Sequence, residues 1–519
     1  MKLLEFFVQL CAIVASARLK VASYVFLRML PLGYKFLPEI LTSYTLFATG
    51  FLFSFCGRFR TSNAFVLDAI VNTLILLFVA DFLYRGHFLY HEDNLSFSRL
   101  GFLDPTSSRL LIRHPKASNF TLTYVSSGAE ANLQASISPL EDYTTSVTLN
   151  NLAPSTRYNY TTSLGHSGSF HTPPANKKKI SFISSSCWKP FYPYNPLSHA
   201  LSIAGLRHLG DYVEKVNVPD FIFFLGDFIY SDLPVQVAPY TKEYYTTLFR
   251  QVYASPDWSE KLRNIPWLHM FDDHEIVNDW YKEMPQGQDM YRDAMNPFVW
   301  YQHRVNPPSS DPNKYYYTYK RGDASFFVLD TRSYRDVPPA KDSSSGGLGQ
   351  QSMLGKQQFA ELEAWIMSEK GWKVIVSGVP FTRNWSEGGD EMDSWAGYLE
   401  ERQQVFELLW KYGGGIIISG DRHEHATVKF PPPTTSPYPP QNTIIEFSTS
   451  PLSFFFQPVA REYTSHEPTD VTVHHEYCGS SKFGVFEFDS SDEQRWVVHF
   501  KLVIDGVHRW DYNHTWYHT

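Results

Sequence analysis

The stretch "FIFFLGDFIYSD", residues 221–232, joins five apolar residues to a Gly-Asp pair and places a tyrosine three positions after the aspartate. A short apolar run that ends at a turn residue is typical of a fully buried strand. Asp227 and Tyr230 follow this strand directly, so they are predicted to lie at the carboxyl edge of a sheet. Open α/β sheets place their functional groups at that edge. The stretch therefore predicts an α/β fold with a polar site at its strand ends.

Several other segments of residues 178–519 repeat this pattern, in which an apolar run is followed by polar residues. The candidate strands are "KISFISSSC", "FIFFLGD", "WLHMFDD", "ASFFVLDTR", "WKVIVSGVP", "GGIIISGDRH" and "NTIIEFSTS". Helical patterns lie between them at residues 197–217, 355–370 and 398–412. Strands that are apolar throughout fit a sheet that is covered on both faces. Residues 178–519 are therefore predicted to form an α/β catalytic domain.

Residues 98–174 contain short segments of alternating polarity separated by turn residues, which is typical of a β-sandwich. The run "LNNLAPSTRYNYTT", residues 149–162, resembles a strand entry of a fibronectin type III domain. The residues that this resemblance assigns to a tyrosine corner are Leu152, Pro154, Thr156 and Tyr158. Nothing in this predicted module indicates chemistry.

The N-terminal region is predicted to be embedded in a membrane. Residues 40–57 and 65–84 each approach the ~20 apolar residues that cross a bilayer as a helix. Residues 3–17 are either a further hydrophobic helix or a signal peptide, and residues 21–37 either span the bilayer or lie in its interface. Residues 1–86 are thus predicted to hold two to four hydrophobic helices.

The signal-peptide alternative rests on the small-residue pattern Ala15-Ser16-Ala17, and Glu5 argues against it. Arg58 and Arg60 lie between the two best spans, which predicts a cytoplasmic loop there and a lumenal or extracellular catalytic domain. Asn-x-Ser/Thr sequons agree with this orientation, because all of them follow the last span. They begin at Asn94, Asn119, Asn159, Asn384 and Asn513.

The formal net charge of -8 and the pI near 6.2 give no basic footprint, so nucleic acid is not an expected partner. No feature of the sequence points to a protein partner. Two cysteines fall outside the hydrophobic segments, Cys187 and Cys478. In an oxidising compartment they could form a disulfide, and this alternative competes with a role for Cys187 as a metal ligand.

Four predicted strand ends carry groups that can bind metal, and the interpretation places all four at one sheet. They are "SSSCW", "LGDFIY", "FDDHEIVNDW" and "SGDRHEH". So many carboxylates in one cleft would repel one another, and a multivalent cation removes that conflict. Thiolate, phenolate, carboxylate and imidazole ligands together suit Fe³⁺, while a mostly oxygen-lined second position suits Ca²⁺, Mn²⁺ or Zn²⁺. Such metals would activate a water as hydroxide beside a phosphate group.

Taken in order, GDxxY, DDHE, "LDTRSYR" (329–335), SGDxH and "EFSTSPLS" (446–453) resemble the PhoD-type alkaline phosphatases, a family of metallophosphoesterases. The resemblance covers roughly residues 98–519. It implies an αββα metallophosphatase sandwich preceded by the fibronectin-like module. It also implies a metal-dependent hydrolase of phosphate mono- or diesters, here anchored in a membrane.

The resemblance assigns roles to individual residues. The implied metal ligands are Cys187, Asp227, Tyr230, Asp273, Asn278, Asp421 and His423. Among them, Asp227 would bridge the two metals, and Cys187, Tyr230 and His423 would bind iron. His274 would donate a proton to the leaving-group oxygen. Arg332 and Arg335 would contact the phosphate, because a guanidinium matches two phosphate oxygens.

Two alternatives remain at this point. Purple acid phosphatases share GDxxY and a fibronectin-like domain, but this chain has "SSSCW", "DDHE" and "SGVPF" where those enzymes have Asp-x-Gly, GNHE and a metal-binding histidine. The other alternative is a catalytically inactive binding module, which is disfavoured because the implied ligands are all present. The chain also departs from the PhoD pattern at Ser231-Asp232, Arg422 and His425.

Overall fold

The computed structural model describes residues 2–56, 63–126, 129–309, 311, 313–337, 351–385, 390–456 and 462–517. The α-helices of these residues are α1 Lys2–Arg28, α2 Gly33–Cys56, α3 Asn63–Leu89, α4 Ala204–Lys215, α5 Lys242–Tyr253, α6 Glu260–Arg263, α7 Gly287–Tyr301, α8 Gly355–Ser368 and α9 Leu399–Tyr412. The first ten strands are β1 Phe97–Leu103, β2 Ser108–Arg113, β3 Asn119–Ser126, β4 Ala129–Ser136, β5 Thr144–Leu149, β6 Arg157–Thr162, β7 Ser167–His171, β8 Lys179–Ser185, β9 Phe221–Leu225 and β10 Trp267–Met270. The others are β11 Tyr317–Arg321, β12 Ala324–Val328, β13 Trp372–Val376, β14 Gly415–Ser419, β15 His425–Phe430, β16 Ile444–Thr449, β17 Val471–Glu476, β18 Lys482–Asp489, β19 Arg495–Ile504 and β20 Val507–Tyr517.

Three N-terminal helices, α1 to α3, are long and apolar enough to cross a membrane. This number lies within the predicted two to four, but the boundaries differ from the prediction. Residues 3–17 and 21–28 lie in one continuous helix, and the chain turns over residues 29–32 before α2 begins. The segment 21–37 is therefore not a single hydrophobic element. The loop that carries Arg58 and Arg60 lies outside the described residues.

The N-terminal helices are fixed to the rest of the chain on one side. The backbone N–H of Gly33, at the start of α2, donates to the carbonyl of Pro234 over 2.8 Å, and the N–H of Tyr194 donates to the carbonyl of Leu27 over 3.0 Å. The end of α3 lies on the same side, where Asp81 accepts a hydrogen bond of 2.8 Å from the Tyr194 hydroxyl. The turn between α1 and α2 and the end of α3 thus face the catalytic region.

Strands β1 to β7 form two antiparallel sheets, β1-β2-β5 and β4-β3-β6-β7. Their apolar side chains meet in one core, to which Leu110 and Leu149 contribute from the first sheet and Phe120 and Tyr158 from the second. The Tyr158 hydroxyl accepts a 2.8 Å hydrogen bond from the backbone N–H of Ala153. The strand β1 was not expected from the sequence. It belongs to the three-stranded sheet through its pairing with β2.

The remaining strands form two larger sheets, β10-β9-β8-β18-β19-β20 and β11-β12-β13-β14-β16-β15-β17. Strands β8, β9 and β10 are parallel in the first sheet, and β12, β13, β14 and β16 are parallel in the second. A central core lies between the sheets, where Phe182 and Phe223 of one meet Phe326 and Val374 of the other. The site-bearing strand ends therefore come from two packed sheets, which corrects the expectation that one sheet carries them all.

Helices cover the outer face of each large sheet. On the first sheet, Leu209 of α4 and Phe249 of α5 pack with Ile222 of β9. On the second sheet, Leu362 of α8 and Leu409 of α9 pack with apolar residues of β13 and β14. The result is a four-layer arrangement of helices, sheet, sheet and helices. Each predicted candidate strand is present, and the predicted helices correspond to α4, α8 and α9 with shorter ends at α4.

Candidate metal centre

The turn after β9 holds Asp227 in a conformation that the sequence around it enforces. Gly226 has φ +94°, and a Cβ atom there would lie 2.5 Å from the Cβ of Asp272. Asp227 itself has φ +56°, a left-handed value that is rare for residues with a side chain. The carboxylate of Glu275 accepts hydrogen bonds from the backbone N–H groups of Asp227, over 3.0 Å, and of Asp272, over 2.7 Å. Glu275 thus fixes two strand ends relative to each other.

Three further predicted ligands also have left-handed backbones. They are Cys187 with φ +62°, Asp421 with φ +72° and His423 with φ +58°. Non-glycine residues in this region carry a steric cost and cluster at functional sites, where the surrounding structure holds them in place. The three turns after β8, β9 and β14 therefore each hold a predicted ligand in a backbone conformation that is locally unfavourable.

The side chains predicted to bind iron meet at one carboxylate oxygen, Oδ2 of Asp227. The Sγ of Cys187 lies 3.2 Å from this oxygen, and the hydroxyl of Tyr230 lies 2.9 Å from it. The same hydroxyl lies 3.1 Å from Nε2 of His423. Cys187, Asp227 and Tyr230 are almost completely buried, at 0–2% exposed. Side chains from three separate strand ends therefore converge on a single point.

A second set of groups lies next to this point. The ligand atoms of Asp227, Asp273 and His274 lie within 4.8 Å of one another, as do those of Asp272, Asp273 and Asp421. Asp227 belongs both to the group with Asp273 and His274 and to the group with Cys187 and His423. It therefore lies between two candidate metal positions. Asn278 is exposed, and its backbone N–H donates to Asp232 over 3.1 Å. Its role as a ligand stays a prediction.

Burial and neighbouring charges shift the pKa values of the acidic groups in the centre. Burial raises the pKa of Asp227 well above its usual range, and neighbouring carboxylates add to the rise while His274 opposes it. Burial and the adjacent Asp227 also raise the pKa of the Cys187 thiol. Burial would raise the pKa of Asp273 as well, but Arg332 and His274 outweigh it and hold that pKa below the usual value.

The donor set fits a pair of metal ions. Oδ1 of Asp227 is buried and accepts no hydrogen bond from any residue that the structure describes. A buried, unsatisfied carboxylate oxygen is costly unless a cation binds it. Thiol, phenol and imidazole on one side of Asp227 suit iron, and carboxylates on the other side suit a divalent ion. The residues present thus agree with the type of site that the sequence predicts.

Cys187 and Cys478 are not joined. Both are free cysteines, Cys187 buried and Cys478 exposed. The disulfide alternative is therefore not realised in this structure, and the thiol of Cys187 points to Asp227. His425, the extra imidazole of "SGDRHEH", is buried in β15, where Thr449 and Thr427 lie within hydrogen-bond distance of its two nitrogens.

His274 is oriented by a residue whose role the sequence did not reveal. Its Nδ1 lies 2.7 Å from Oδ1 of Asp232, and its ring packs against that of Tyr230 with centroids 4.3 Å apart. Burial would lower the pKa of His274, but Asp232, Asp273 and Asp227 raise it well above the usual value. Asp232 stood in the opening stretch as a departure from the family pattern, without an assigned partner.

Arg332 and Arg335 are both fully buried and engaged with carboxylates. Nε of Arg332 lies 2.5 Å from Asp272, and its Nη1 lies 2.8 Å from Asp393. Nη1 of Arg335 lies 2.6 Å from the same carboxylate of Asp393. These ion pairs position the acidic residues of the centre, and contact with a phosphate stays a prediction. Asp393 carried no sequence signal, because it lies far from every strand-end motif.

Comparison with known proteins matches residues 188–500 to the family model described as "PhoD-like phosphatase". The alkaline phosphatase D of Bacillus subtilis (strain 168) is 26% identical over 303 residues, which is 50% of this chain and 48% of that protein. The chain thus matches about half the length of this curated relative.

Two solved structures share the fold. One, titled "Structure of PhoD", has a TM-score of 0.61 at 18% identity, covering 82% of this chain and 88% of the other. The purple acid phosphatase PPD1 from yellow lupin (Lupinus luteus) seeds has a TM-score of 0.56 at 12% identity, covering 80% of this chain and 74% of the other. These likenesses show a common mixed α/β architecture.

Proposed function

Because the chain belongs to the PhoD-like phosphatase family, we propose that it is a metal-dependent phosphoric ester hydrolase that cleaves phosphate mono- or diesters. The observation that carries this proposal is that Cys187 and Tyr230 contact the carboxylate of Asp227 and that His423 contacts the hydroxyl of Tyr230. The second oxygen of Asp227 is buried without a hydrogen-bond partner among the described residues. An inactive binding module would be expected to lack at least one of these groups, and all of them are present.

The ligand roles follow from the two sets of groups around Asp227. Cys187, Asp227, Tyr230 and His423 would hold Fe³⁺. The ligands that would hold a divalent ion, Ca²⁺, Mn²⁺ or Zn²⁺, are Asp227, Asp273, Asn278 and Asp421. Bound metals would polarise the phosphoryl oxygens and supply a nucleophilic water. The phosphorus gains a bond to the water oxygen and loses its bond to the alcohol oxygen.

The departing alcohol oxygen needs a proton, and His274 is the candidate donor. Asp232 holds Nδ1 of His274 at 2.7 Å, so Nε2 is the nitrogen that is left to face a substrate. A carboxylate on Nδ1 also favours the protonated ring, which is the form that can donate. Asp232 therefore acts as a positioning residue for His274.

We also propose that the catalytic region lies on the lumenal or extracellular side of a membrane that α1 to α3 span. The turn between α1 and α2 and the end of α3 face the catalytic region, as an odd number of spans from a cytoplasmic N-terminus requires. Four sequon asparagines are exposed, Asn94, Asn119, Asn159 and Asn513. The fifth, Asn384, is fully buried, and its amide donates to the Asp470 carbonyl and Thr472. Glycosidase treatment should increase the mobility of protein from native membranes, and unchanged mobility would contradict this orientation.

The two small sheets of β1 to β7 fit a fibronectin-III-like module over residues 98–174. The hydrogen bond from the Ala153 N–H to the Tyr158 hydroxyl supports the predicted tyrosine corner. The module packs on the catalytic domain of residues 178–519 through buried ion pairs, so it would act as a rigid support.

The metal assignment is tested on the full chain purified in detergent. Phenolate bound to Fe³⁺ absorbs visible light, so the protein should be coloured, contain iron and hydrolyse p-nitrophenyl phosphate or bis-p-nitrophenyl phosphate. Tyr230→Phe should lose the colour, while Tyr124→Phe, on the β-sandwich, should keep it. A colourless, iron-free and active protein would overturn the iron assignment alone. Absence of hydrolysis from metal-loaded protein would overturn the function.

A further inference from the structure

A cavity of about 60 Å³ lies between the end of α3 and the catalytic domain. Its walls come from α3, from the loops that follow β8 and β9, and from α5. Apolar side chains from all four of these elements line it, among them Phe82 of α3, Phe191 after β8, Leu233 after β9 and Leu248 of α5. A volume of this size holds several water-sized groups, such as a few methylenes.

The cavity shares a wall with the candidate metal centre. Tyr230 lines the cavity, and its hydroxyl lies 2.9 Å from Asp227 and 3.1 Å from His423. The loop after β8 also contributes to both, since it carries Cys187 and, two residues later, the cavity residue Lys189. A molecule in the cavity would therefore lie next to the groups that would bind metal.

Lys189 is a half-buried cation in the wall of this cavity. Its ammonium group forms no hydrogen bond or ion pair with the residues that the structure describes, although the carboxylate of Asp232 is near enough to act on it electrostatically. A lysine that lines an apolar cavity is costly to bury unless an anion accompanies it. The position suits an anionic oxygen of a phosphate ester.

In a membrane that α1 to α3 span, as proposed above, the cavity would lie at the level of the membrane surface. Helix α3 has 27 residues and is thus about 40 Å long, longer than the ~30 Å hydrocarbon core of a bilayer. Its last turns, which carry Phe82 and His87 of the cavity wall, would reach the head-group region. Arg85 and Gln251 fix these turns to the catalytic domain, since Arg85 donates to the Pro196 carbonyl over 3.1 Å and Gln251 to the Gly86 carbonyl over 2.9 Å.

From these observations we propose that the substrate is a phosphate ester of a membrane lipid. The cavity would receive the first part of the hydrocarbon-bearing alcohol next to the scissile phosphate, and Lys189 would contact an anionic phosphate oxygen. The small volume means that the rest of the chain stays in the bilayer. This inference rests on the proposed hydrolase function and adds to it the class of alcohol that the site accepts.

The experiment compares matched esters on the full chain in phosphatidylcholine nanodiscs. The pairs are dodecyl phosphate with ethyl phosphate, and p-nitrophenyl dodecyl phosphate with p-nitrophenyl methyl phosphate. The wild type should prefer the dodecyl ester of at least one pair by tenfold or more in kcat/KM. Leu248→Trp, which fills the cavity, should reduce this preference at least tenfold. Val216→Trp, on an exposed residue after α4, should keep it.

Lys189 gives a second, independent measurement. Lys189→Gln should raise KM for the dodecyl ester about tenfold with little change in kcat, and Lys189→Arg should restore most of the loss, because it keeps the cation. Hydrolysis of both esters without a preference for the long chain, or an unchanged preference in Leu248→Trp, would overturn the lipid subsite alone. Hydrolysis of neither ester by the wild type would overturn the proposed function and this inference with it.

Discussion

Asp142 and Asp227 are both buried carboxylates, 6% and 1% exposed, but their surroundings are opposite in charge. Asp142 lies between β4 and β5 of the β-sandwich and meets two guanidinium groups. Nη2 of Arg113 lies 3.0 Å away and Nη2 of Arg250 lies 2.6 Å away. The hydroxyl of Tyr301 also donates to Asp142. This cluster joins the sandwich to α5 and α7 of the catalytic region.

The pKa values of the two carboxyl groups move in opposite directions. Burial would raise the pKa of Asp142, but the hydrogen bonds from Arg250 and Arg113 outweigh it and hold that pKa below the usual value. Burial raises the pKa of Asp227 well above the usual value, and the nearby carboxylates of Asp272 and Asp273 raise it further. Arg332 forms ion pairs with those two neighbours rather than with Asp227.

The comparison shows that buried carboxylates in this protein lie in two kinds of electrostatic environment. At Asp142 the cations are part of the chain, so the charge is balanced as soon as the chain folds, and the cluster serves the interface between sandwich and catalytic region. At Asp227 the chain supplies acids, a thiol and a phenol but leaves the balancing charge to a ligand. The first arrangement stabilises the fold, and the second fits the proposed metal site.

The largest expected effect is on catalysis. Asp227→Asn removes the carboxylate that joins the two sets of ligands, so we expect kcat for p-nitrophenyl phosphate to fall by at least about 10³-fold, or about 4 kcal/mol. The unfolding temperature of the metal-free protein should not fall, because burial and the neighbouring carboxylates raise the pKa of Asp227 and so disfavour its charged form. Glu493→Gln, the same change on an exposed residue, should keep full activity. Equal rates for Asp227→Asn and the wild type would contradict the bridging role.

The next effect is on stability. Asp142→Asn leaves two buried guanidinium groups without their carboxylate, so we expect the free energy of unfolding to fall by about 3 kcal/mol in a denaturant titration. Glu243→Gln is the matched control, because Glu243 contacts the same Arg250 over 3.0 Å but is largely exposed. Its effect should stay below about 1 kcal/mol.

The contribution of Asp142 to the free energy of unfolding should also decrease as the pH falls. Because its folded pKa is lowered, the contribution is fully present above the usual pKa of about 3.9 and is lost as the pH falls through the lowered value. The wild type and Asp142→Asn should therefore approach each other in stability in strong acid. A constant difference between them at every pH would show that the charge of Asp142 is not what stabilises the interface.

The smallest expected effect concerns the pair of His274 and Asp232. Asp232→Asn removes the charge that orients and protonates His274, so kcat should fall about tenfold for alkyl esters, or about 1.4 kcal/mol. The fall should be much smaller for p-nitrophenyl esters, because p-nitrophenolate leaves without a proton. A purely structural role for Asp232 would lower both rates alike. The ratio of the two rates is thus the measurement that decides.

Much of this candidate site could be predicted from the sequence because its predicted ligands lie directly after apolar strands. Cys187, Asp227 and Tyr230 were identified in this way, and the structure brings them together with His423. Asp393 and Asp232 could not be assigned in the same way. Their partners, Arg332 and His274, lie 61 and 42 positions away in the chain, and no local pattern connects them.

The sequence alone determined which segments are apolar strands, that the N-terminal region holds helices long enough to cross a membrane, and which polar groups follow the strands. These features are local, since they depend on the spacing of side chains along a few turns of backbone. Only the tertiary structure decided that the strand ends come from two sheets and that two arginines contact Asp142 but none of the described arginines contacts Asp227. It also decided that α3 and Tyr230 line the same cavity. The balance of buried charge depends on which distant residues become neighbours, and packing fixes that only when the whole chain has folded.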